Sequence, residues 1–556
     1  MIWLLPTIRL ERLSAMSRVL AALAALAALF ALPASAKAPK LTLFISVDAL
    51  GSDLLLRNRP RLTGGLGQLL DRGAFYPYAR YAYAETRTAP GHATLATGAN
   101  PWRHGIVDND VQDRATGQRV QVYMDPAHPL LDAATDPTSD TSPENLMAET
   151  LADRLRVSTQ GRGKVVALSF KARAAIPLAG RLGQAWWFDG VEGKMVTSTW
   201  YAKAVPAWMQ AFNARKLADE GFSKTWELLR PRAEYVGEDD RATEPDAYGM
   251  GRTFPHSLRN GLTAPGPQSY KAFAVSPRSH DLLVQAAKAA LEGEGLGKDD
   301  VPDILAVSFS GTDEVFHAFG PYSWEIQDSL LRLDQAMGEL IAAAERAAGG
   351  RANLLIALSA DHGGAEIPEA WAQTGVPARR INSVEMSKTL AAELRTAFGV
   401  DVTVAMLDLD VYLGGKALES GQVDGAAVRR AAAEWLAKQP FSVMAVARDD
   451  LDTVPDTGGL VEPLRRGYYP QRSGDVLFMA KPFQVVTDYP RGTNHGVPYS
   501  YESQVPVVFA GRGVKPGLYP QEIDPVDVAP TLSALLEMGM PASAEGKPRA
   551  EALTGK

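Results

Sequence analysis

The chain has 556 residues, of which 46% are hydrophobic and 22% are charged, and it contains no cysteine. These fractions are typical of a globular protein, but the length exceeds what one simple core needs, so we expect either one large domain with an insertion or two domains. The net charge of −7 argues against nucleic acid as the main partner. The absence of cysteine excludes disulfides, a thiol nucleophile, thiolate zinc sites and a formylglycine made from cysteine.

Residues 1–36 are typical of an export signal. A basic segment precedes an unbroken apolar stretch at residues 19–32, and residues 34–36 (ASA) form a small-residue cleavage pattern. A membrane anchor is the alternative, but the stretch is shorter than the roughly 20 residues that span a bilayer. We therefore predict a cleaved signal peptide and a periplasmic or secreted protein, with either Met1 or Met16 as the true start.

Apolar runs without polar alternation recur along the rest of the chain. Such runs indicate strands that are buried on both faces, as in a parallel sheet flanked by helices. Helical patterns separate them, for example at residues 324–348 and 527–537. The sequence therefore predicts an α/β fold with a mostly parallel central sheet and with ligands at the carboxyl ends of the strands. The runs are residues 40–47, 164–170, 304–309, 353–359 and 505–510.

Two stretches interrupt this alternation. Residues from about 198 to 279 are rich in Trp, Tyr, Pro and Gly and show weak periodicity, which predicts a cap beside the sheet. Residues 366–482 contain two helix patterns and short strand candidates, which predict a small inserted α+β subdomain. The core is then formed by residues 37–365 and 483–556.

Potential metal ligands stand where predicted strands end. Taken singly, each has an ordinary structural explanation, namely a helix cap, a surface ion pair or a loop. Together they supply enough carboxylates and imidazoles for two divalent metal ions, because every group lies at a strand end or in a glycine-flanked loop. The residues are Asp48, Asp313, His317, Asp361, His362 and His495.

A threonine-rich segment, ETRTAPGHATL at residues 85–95, lies between the first two predicted strands. A threonine at a helix N-terminus lies among free backbone N–H groups, which suit a phosphate oxyanion. An ordinary helix cap is the alternative. From the residues alone, Thr86, Thr88 and Thr94 stay equal candidates for a catalytic hydroxyl.

Taken together, the motifs resemble the alkaline phosphatase superfamily, in particular its type I phosphodiesterase/nucleotide pyrophosphatase branch. Within that branch the chain is most similar to the threonine-nucleophile bacterial alkaline phosphatases of the Sphingomonas and Flavobacterium type. The resemblance runs from about residue 40 to 540 and comprises, in the family's order, TxPGHATLATG, KxR, DxxxH, SADHGG and HGxPYSYE.

The resemblance implies a role for each candidate residue. Thr88 would be the nucleophile, and Asn109, Lys171 and Arg173 would contact phosphate oxygens. One departure is visible, because Asn494 stands before the last ligand where related enzymes often have Thr. The implied ligands of one zinc ion are Asp48, Asp361, His362 and the Thr88 oxygen, and those of the other are Asp313, His317 and His495.

The implied function is an exported, zinc-dependent alkaline phosphatase with two Zn²⁺ per subunit. It would hydrolyse small-molecule phosphate monoesters through a covalent phosphothreonine. Two zinc ions would balance three aspartates and a threonine alkoxide, which leaves Lys171 and Arg173 to neutralise a phosphate dianion. No nucleic acid partner beyond nucleotide substrates and no membrane anchor is expected. The natural substrate, the oligomeric state and any structural Ca²⁺ stay open.

Two alternatives remain at this point. A phosphodiesterase or nucleotide pyrophosphatase would use the same two metals, but its substrate has one negative charge and a second substituent. A non-catalytic metal- or phosphate-binding protein would be expected to lack a ligand or the nucleophile, and the sequence lacks neither. His92 and His104, which flank the nucleophile segment, are predicted to be structural or to support the metal ligands, because the ligand set is complete without them.

Overall fold

The computed structural model describes residues 38–259 and 261–554. The predicted export signal at residues 1–36 lies outside the described residues. Residues from Pro39 onward belong to one compact unit. In the part of the chain that the structure describes, none of the helices is both long enough and apolar enough to cross a membrane.

The strands and helices are numbered in chain order. The strands are β1 (Leu41–Val47), β2 (Ala74–Arg80), β3 (Asp110–Gln112), β4 (Arg119–Gln121), β5 (Val165–Ser169), β6 (Gln184–Asp189), β7 (Lys194–Val196), β8 (Thr225–Trp226), β9 (His256–Ser257), β10 (Asp303–Phe309), β11 (Leu354–Ser359), β12 (Arg379–Asn382), β13 (Thr403–Leu407), β14 (Asp410–Gly414), β15 (Ser442–Ala447), β16 (Val476–Ala480), β17 (Gln484–Thr487), β18 (Gln504–Gly511) and β19 (Gly517–Leu518). The α-helices are α1 (Ser52–Asn58), α2 (Gly65–Arg72), α3 (Thr88–Thr97), α4 (Pro101–His104), α5 (Leu151–Ser158), α6 (Ala172–Ala179), α7 (Ala207–Asn213), α8 (Leu217–Gly221), α9 (Pro267–Ala274), α10 (Arg278–Gly293), α11 (Gly311–Phe319), α12 (Trp324–Ala347), α13 (Pro368–Gln373), α14 (Ser383–Phe398), α15 (Lys416–Glu419), α16 (Gly425–Ala437), α17 (Val461–Gly467), α18 (Ser500–Ser503) and α19 (Val528–Leu535).

A nine-stranded sheet forms the centre of the unit, in the order β19-β2-β18-β11-β1-β10-β5-β6-β7. The five neighbouring strands from β11 to β6 run parallel. Every residue of β1, β10 and β11 is buried, as expected for strands covered on both faces. The predicted α/β fold with a mostly parallel central sheet is confirmed.

Strand β18 departs from the parallel pattern. The apolar run at residues 505–510 does form a strand of the central sheet, but this strand pairs antiparallel with both β11 and β2. Its apolar side chains are buried because it is an interior strand of the sheet. An apolar run indicates burial and carries no information on strand direction, so the sequence alone does not reveal this reversal.

A second sheet lies within the segment predicted as an insertion. Strands β13, β14, β16 and β15 pair antiparallel in that order, and α14 and α16 pack against them. Apolar side chains such as Leu390, Val428 and Phe478 form a core that is separate from the main one. The segment therefore has the predicted α+β content, while the domain boundaries at residues 366 and 482 stay predictions.

The segment predicted as a cap consists of short elements joined by irregular backbone. It contains α7, α8 and α9 and the two-residue strands β8 and β9. Three of its residues, Pro245, Ala247 and Tyr248, line the same cavity as the candidate site residues. The extent of the cap, at about residues 198–279, stays a prediction.

One buried carboxyl group in this segment has an unusual environment. Glu244 accepts a hydrogen bond from Arg241 Nη1 at 3.2 Å. Its other oxygen is buried and has no hydrogen-bond partner in residues 38–259 and 261–554. Burial, together with the nearby carboxyl of Glu325, raises the pKa of Glu244 to about 9.

The raised pKa of Glu244 should make the free energy of unfolding depend on pH. Its ordinary pKa is 4.5, so between that value and about 9 the native state keeps a proton that the unfolded chain has lost. The free energy of unfolding therefore falls as pH rises through this window. Glu244→Gln should melt at a higher temperature than wild type at alkaline pH and at a similar temperature near pH 4.5.

Thermal unfolding over a pH series measures this effect. Glu238→Gln, at an exposed position of the same segment, is the control and should follow wild type at every pH. Parallel curves for wild type and Glu244→Gln would show that Glu244 is not responsible for the slope.

Candidate active site

Charged side chains follow four adjacent strands of the central sheet and lie at one edge of that sheet. Parallel strands place their carboxyl ends at the same edge, which is where α/β proteins bind ligands. Each of the four side chains stands within a short turn of its strand end. For strands β11, β1, β10 and β5, in that spatial order, the residues are Asp361, Asp48, Asp313 and Lys171.

Two antiparallel pairings bring further residues to this edge. Because β18 runs against β11, its beginning lies at the carboxyl edge, and the loop that precedes it carries His495. Strand β2 runs against β18 and therefore ends at the same edge. From there the chain leads to Thr88, the first residue of α3. The reversed strand thus completes a site whose other parts follow parallel strands.

Asp48, Asp361 and His362 form the first cluster of potential metal ligands. One ligand atom from each lies within 4.8 Å of the others, and all three residues are buried. His362 Nε2 is 3.3 Å from Asp48 Oδ1 and 3.4 Å from Asp361 Oδ2. The resemblance implies the same three side chains, together with the Thr88 oxygen, as ligands of one metal ion.

The second cluster differs in one member from the sequence prediction. Ligand atoms of Asp313, His362 and His495 lie within 4.8 Å of one another, whereas His317 was predicted in place of His362. The rings of His362 and His495 stack with centroids 3.6 Å apart, so His362 adjoins both clusters. His317 lies at the side of the second cluster, with Nε2 3.3 Å from Asp313 Oδ2 on the same face of α11.

All three histidines point the same ring nitrogen toward the carboxylates. In each ring Nδ1 contacts a backbone carbonyl oxygen, and this contact favours the tautomer that leaves the Nε2 lone pair free for a metal. The Nδ1–O distances are 2.9 Å from His317 to Thr493, 2.8 Å from His362 to Gly363 and 2.7 Å from His495 to Thr86.

Several buried polar atoms at the centre of the site lack hydrogen bonds. Such atoms are costly unless something compensates them, and a bound metal ion does so. Carboxylate oxygens and imidazole nitrogens are also the donors that Zn²⁺ takes. The residues therefore fit divalent metal ions. Among the described residues, the atoms without a hydrogen-bond partner include Asp48 Oδ1, Asp313 Oδ1, Asp361 Oδ2 and His362 Nε2.

The charges of the first cluster perturb one another strongly. Burial, with repulsion from Asp313 and Asp361, raises the pKa of Asp48 to about 6. Burial disfavours the charged form of His362, but Asp361 and Asp48 outweigh it and raise the pKa of this imidazole to about 9. The crowding of buried carboxylates adds to burial in raising the pKa of Asp48 and overcomes burial in raising the pKa of His362.

The N-terminus of α3 presents Thr88 to a cavity of about 440 Å³ that Asp313, His317 and His495 also line, whereas Asp48, Asp361 and His362 are fully buried. Asn109 lines the same cavity, and its Oδ1 accepts a hydrogen bond from the backbone N–H of Ala89 at 2.8 Å. With this oxygen engaged, the amide NH₂ of Asn109 is the group that stays available as a donor. Gly91 packs against Asp361 so closely that a Cβ would lie 2.4 Å from the Asp361 carbonyl oxygen, which explains the glycine of TxPGH.

Two cations predicted to bind phosphate line the cavity as well. Lys171 Nζ is 2.8 Å from Asp48 Oδ2 and also contacts Asp313 Oδ2, so it touches one carboxylate from each metal-ligand cluster. Burial opposes the charge of Arg173, but Asp140 and Asp110 outweigh it and raise the pKa of the guanidinium. Burial likewise opposes the charge of Lys171, but Asp313 and Asp48 outweigh it and raise its pKa, so both side chains stay positively charged.

The two remaining histidines near the nucleophile have different surroundings. His92 Nδ1 is 2.9 Å from the Thr88 carbonyl oxygen, and its Nε2 is 2.9 Å from Ser308 Oγ. His104 Nε2 is 3.2 Å from Thr94 Oγ1, away from the metal-ligand clusters. His92 Nδ1 also lies 3.2 Å from Asp361 Oδ2, so His92 contacts a candidate metal ligand, whereas His104 contacts Thr94.

Two acidic stretches, residues 238–240 and 449–450, have the composition of a possible calcium site, but they contain carboxylates that form ion pairs. Arg429 lies 2.5 Å from Asp449, and Arg430 lies 2.8 Å from Asp450. In the cap segment, Asp240 lies 2.8 Å from Arg252. Within the described ranges, only the two clusters at the sheet edge bring three potential metal ligands together.

The cavity has further lining residues that sequence reasoning missed. Tyr248 comes from the cap segment, Tyr489 and Arg491 come from the loop before His495, and Asp408 comes from the insertion. Nothing in the sequence marks Asp408 or Tyr248, because both are distant in the chain from every motif. Arg87, which also lines the cavity, could have been found from its place beside Thr88.

The model of the type I phosphodiesterase/nucleotide pyrophosphatase family matches residues 42–502. The chain therefore belongs to this family. The resemblance drawn from the motifs is confirmed, and so is the prediction of an enzyme of the alkaline phosphatase class.

Three relatives match over almost the whole chain. Alkaline phosphatase PafA of Elizabethkingia meningoseptica is 31% identical, over 93% of this chain and 94% of that protein. Its crystal structure matches with a TM-score of 0.87 over 93% of this chain and 99% of that one. A protein named calcium-transporting ATPase from Myroides odoratus is 32% identical over 93% and 95% of the two chains. Alkaline phosphatase PhoV of Synechococcus elongatus is 30% identical over 93% of each.

Proposed function

We propose that this protein is an exported, zinc-dependent alkaline phosphatase that hydrolyses phosphate monoesters through a phosphothreonine on Thr88. The observation that carries the proposal is the composition of one cavity. Its lining combines a threonine at a helix N-terminus, three candidate metal ligands and two cations, Lys171 and Arg173, and the first cluster adjoins it where Lys171 contacts Asp48. The relatives named alkaline phosphatase support the reaction class.

The two clusters would hold the zinc ions. Asp48, Asp361, His362 and the Thr88 oxygen are the proposed ligands of one ion, and Asp313, His317 and His495 are those of the other. When bound, the ions supply Lewis acid chemistry that activates a hydroxyl and stabilises negative charge on a leaving oxygen. Zinc is required in this account because an unassisted threonine hydroxyl is a weak nucleophile.

Thr88 attacks the phosphorus of the monoester. The Thr88 Oγ–P bond forms, the bond from phosphorus to the ester oxygen breaks, and the alcohol leaves with a proton. Water then cleaves the phosphothreonine and releases inorganic phosphate. Thr88 is the first residue of α3, so the positive end of the helix dipole lies beside it and favours the phosphoryl oxygens there.

Lys171, Arg173 and Asn109 bind the remaining phosphoryl oxygens. A monoester dianion presents three such oxygens, and two cations with an amide donor match that number and charge. A diester offers one charge fewer and carries a second substituent. The paired cations therefore favour a monoesterase over the alternative phosphodiesterase or nucleotide pyrophosphatase.

The Lys171→Ala/Arg173→Ala double variant tests this choice. Each charge-assisted hydrogen bond contributes roughly 1.5–3 kcal/mol. We therefore expect kcat/KM for an aryl phosphate monoester to fall about 10³-fold and that for the matched diester to fall much less.

The control is Arg162→Ala/Lys164→Ala, which removes two cations at the other end of β5 and should leave both activities near wild type. A wild-type enzyme that prefers the diester, or equal losses on both substrates in the double variant, would contradict a monoesterase.

Export is proposed from residues 1–36 and places the mature enzyme in the periplasm or outside the cell. The expected substrates are small-molecule phosphate esters. Comparing the N-terminus of the mature protein from cell fractions with the cleavage pattern at residues 34–36 tests this point. An intact N-terminus on an enzyme confined to the cytoplasm would contradict it.

A further inference from the structure

Arg87, the residue before Thr88, contacts three separate parts of the chain. Its side chain is only 6% exposed. Nη1 donates to Asn494 Oδ1 at 2.9 Å, Nη2 forms an ion pair with Asp408, and Nε lies 3.9 Å from Asp108. Nε has no hydrogen-bond partner among the described residues, so the contacts of Nη1 and Nη2 are the ones that hold the guanidinium in place.

The nucleophile segment is also joined directly to the loop that carries His495. The backbone carbonyl of Thr86 lies 2.7 Å from His495 Nδ1, and the Thr86 hydroxyl donates to the Val497 carbonyl at 3.1 Å. The Arg87–Asn494 hydrogen bond is a third link between the same two segments. Residues 86–88 and 494–497 are thus held side by side, with the nucleophile on one and a proposed zinc ligand on the other.

Gly496 lies against the guanidinium of Arg87, where a larger residue would not fit. A Cβ at this position would lie 2.5 Å from Arg87 Nη2, and the backbone has φ +130°, which disfavours other residues. The glycine after His495 therefore lets the guanidinium approach the loop. Asn494, the departure from the family pattern, supplies the oxygen that Arg87 reaches.

The inserted sheet contributes to the same network. Asp408 lies in the turn between β13 and β14, and the next residue, Leu409, donates its backbone N–H to Glu85 Oε1 at 2.8 Å. Glu85 and Arg87 thus both hold this turn. The turn in return holds the guanidinium of Arg87 through an ion pair in which Arg87 is buried and Asp408 is 23% exposed.

We propose that Arg87 is a positioning residue that fixes Thr88 relative to His495, with Asn494 and Asp408 as the groups that orient it. This inference rests on the proposed function, since it assumes that Thr88 is the nucleophile and His495 a zinc ligand. Asn494 then helps to align Thr88 with His495. The insertion, through Asp408, does so as well and does more than line the cavity.

The test combines Arg87→Lys, Asn494→Ala and the double variant, assayed with an aryl phosphate monoester on the zinc-loaded enzyme. Lysine keeps the charge but cannot make the forked contacts of arginine. Misplacement of a reacting group by about 1 Å can cost about 10²-fold in rate. We expect kcat to fall about 10- to 100-fold in each single variant, and the double variant to be no more than about threefold worse than Arg87→Lys.

Two further measurements separate positioning from other roles. The inhibition constant of inorganic phosphate and the zinc content should stay within about twofold of wild type, because Lys171, Arg173 and the proposed ligands are untouched. Arg114→Lys is the matched control, since Arg114 also pairs with the inserted segment, through Asp475 at 3.2 Å. Its kcat should stay near wild type.

Wild-type kcat in Arg87→Lys, multiplicative losses in the double variant, or a parallel loss of zinc or phosphate binding would overturn the inference. Thr88→Ala is assayed alongside. If Thr88→Ala stays active, the proposed function fails. If Thr88→Ala is inactive and Arg87→Lys is unimpaired, only the positioning role fails.

Discussion

Thr88→Ala is expected to lower kcat/KM for an aryl phosphate monoester by at least about 10⁴-fold, because it removes the atom that forms the covalent bond to phosphorus. The zinc content of the variant should stay at or near two ions per chain, since carboxylates and imidazoles supply the other ligands. Thr88→Ser keeps a hydroxyl at the same position and should retain much more activity than the alanine variant.

Thr86 and Thr94 are the matched controls, because the sequence alone did not distinguish them from Thr88. The Thr86 hydroxyl donates to the Val497 carbonyl, and Thr94 Oγ1 lies beside His104, so neither faces the cavity in the manner of Thr88. Thr94→Val should stay within about tenfold of wild type, and Thr86→Val should lose far less than Thr88→Ala. A Thr88→Ala variant as active as wild type would contradict the account.

Removal of metal is the second change with a large expected effect. Dialysis against a chelator should lower activity by at least about 10³-fold, because the metals are proposed to contribute several kcal/mol of charge stabilisation. Added Zn²⁺ should restore it. The melting temperature should fall as well, since buried carboxylates and imidazoles would lose their shared counterion. Activity that survives complete metal removal would contradict a metal-dependent mechanism.

Single histidine variants test how the ligands divide between the ions. The resemblance assigns His317 to the second ion, whereas the geometry places His362 beside both clusters. If His317 is a ligand, His317→Ala should hold about one zinc ion per chain. His128→Ala is the control, because His128 pairs with Asp125 at a half-exposed position, and it should hold two. Two zinc ions in His317→Ala would remove His317 from the ligand set.

The fold was largely predictable because strands that are buried on both faces consist of continuous apolar residues. Apolar runs located the strands that precede Asp48, Asp313 and Asp361, and the α/β alternation followed from the helix patterns between them. The direction of β18 was not predictable, since a buried strand has the same composition either way. That reversal matters, because it brings His495 to the carboxyl edge.

The site was predictable only where its residues lie in local motifs. Asp361-His362 and the Asp313–His317 pair can be recognised from spacing, and Thr88 required the resemblance. Asp408 and Tyr248 were not predictable, because long-range packing alone brings them to the cavity. The contact between Lys171 and two carboxylates on different strands likewise depends on the order of the strands in the sheet.

The central claim is a covalent phosphate on Thr88. The zinc-loaded enzyme is mixed with an aryl phosphate monoester, stopped in acid within one turnover, and digested for mass spectrometry. The account predicts phosphate on Thr88 in the peptide containing TAPGH, and no phosphopeptide from Thr88→Ala. Phosphate on another residue of the active enzyme would contradict the account, as would retained phosphate transfer in Thr88→Ala.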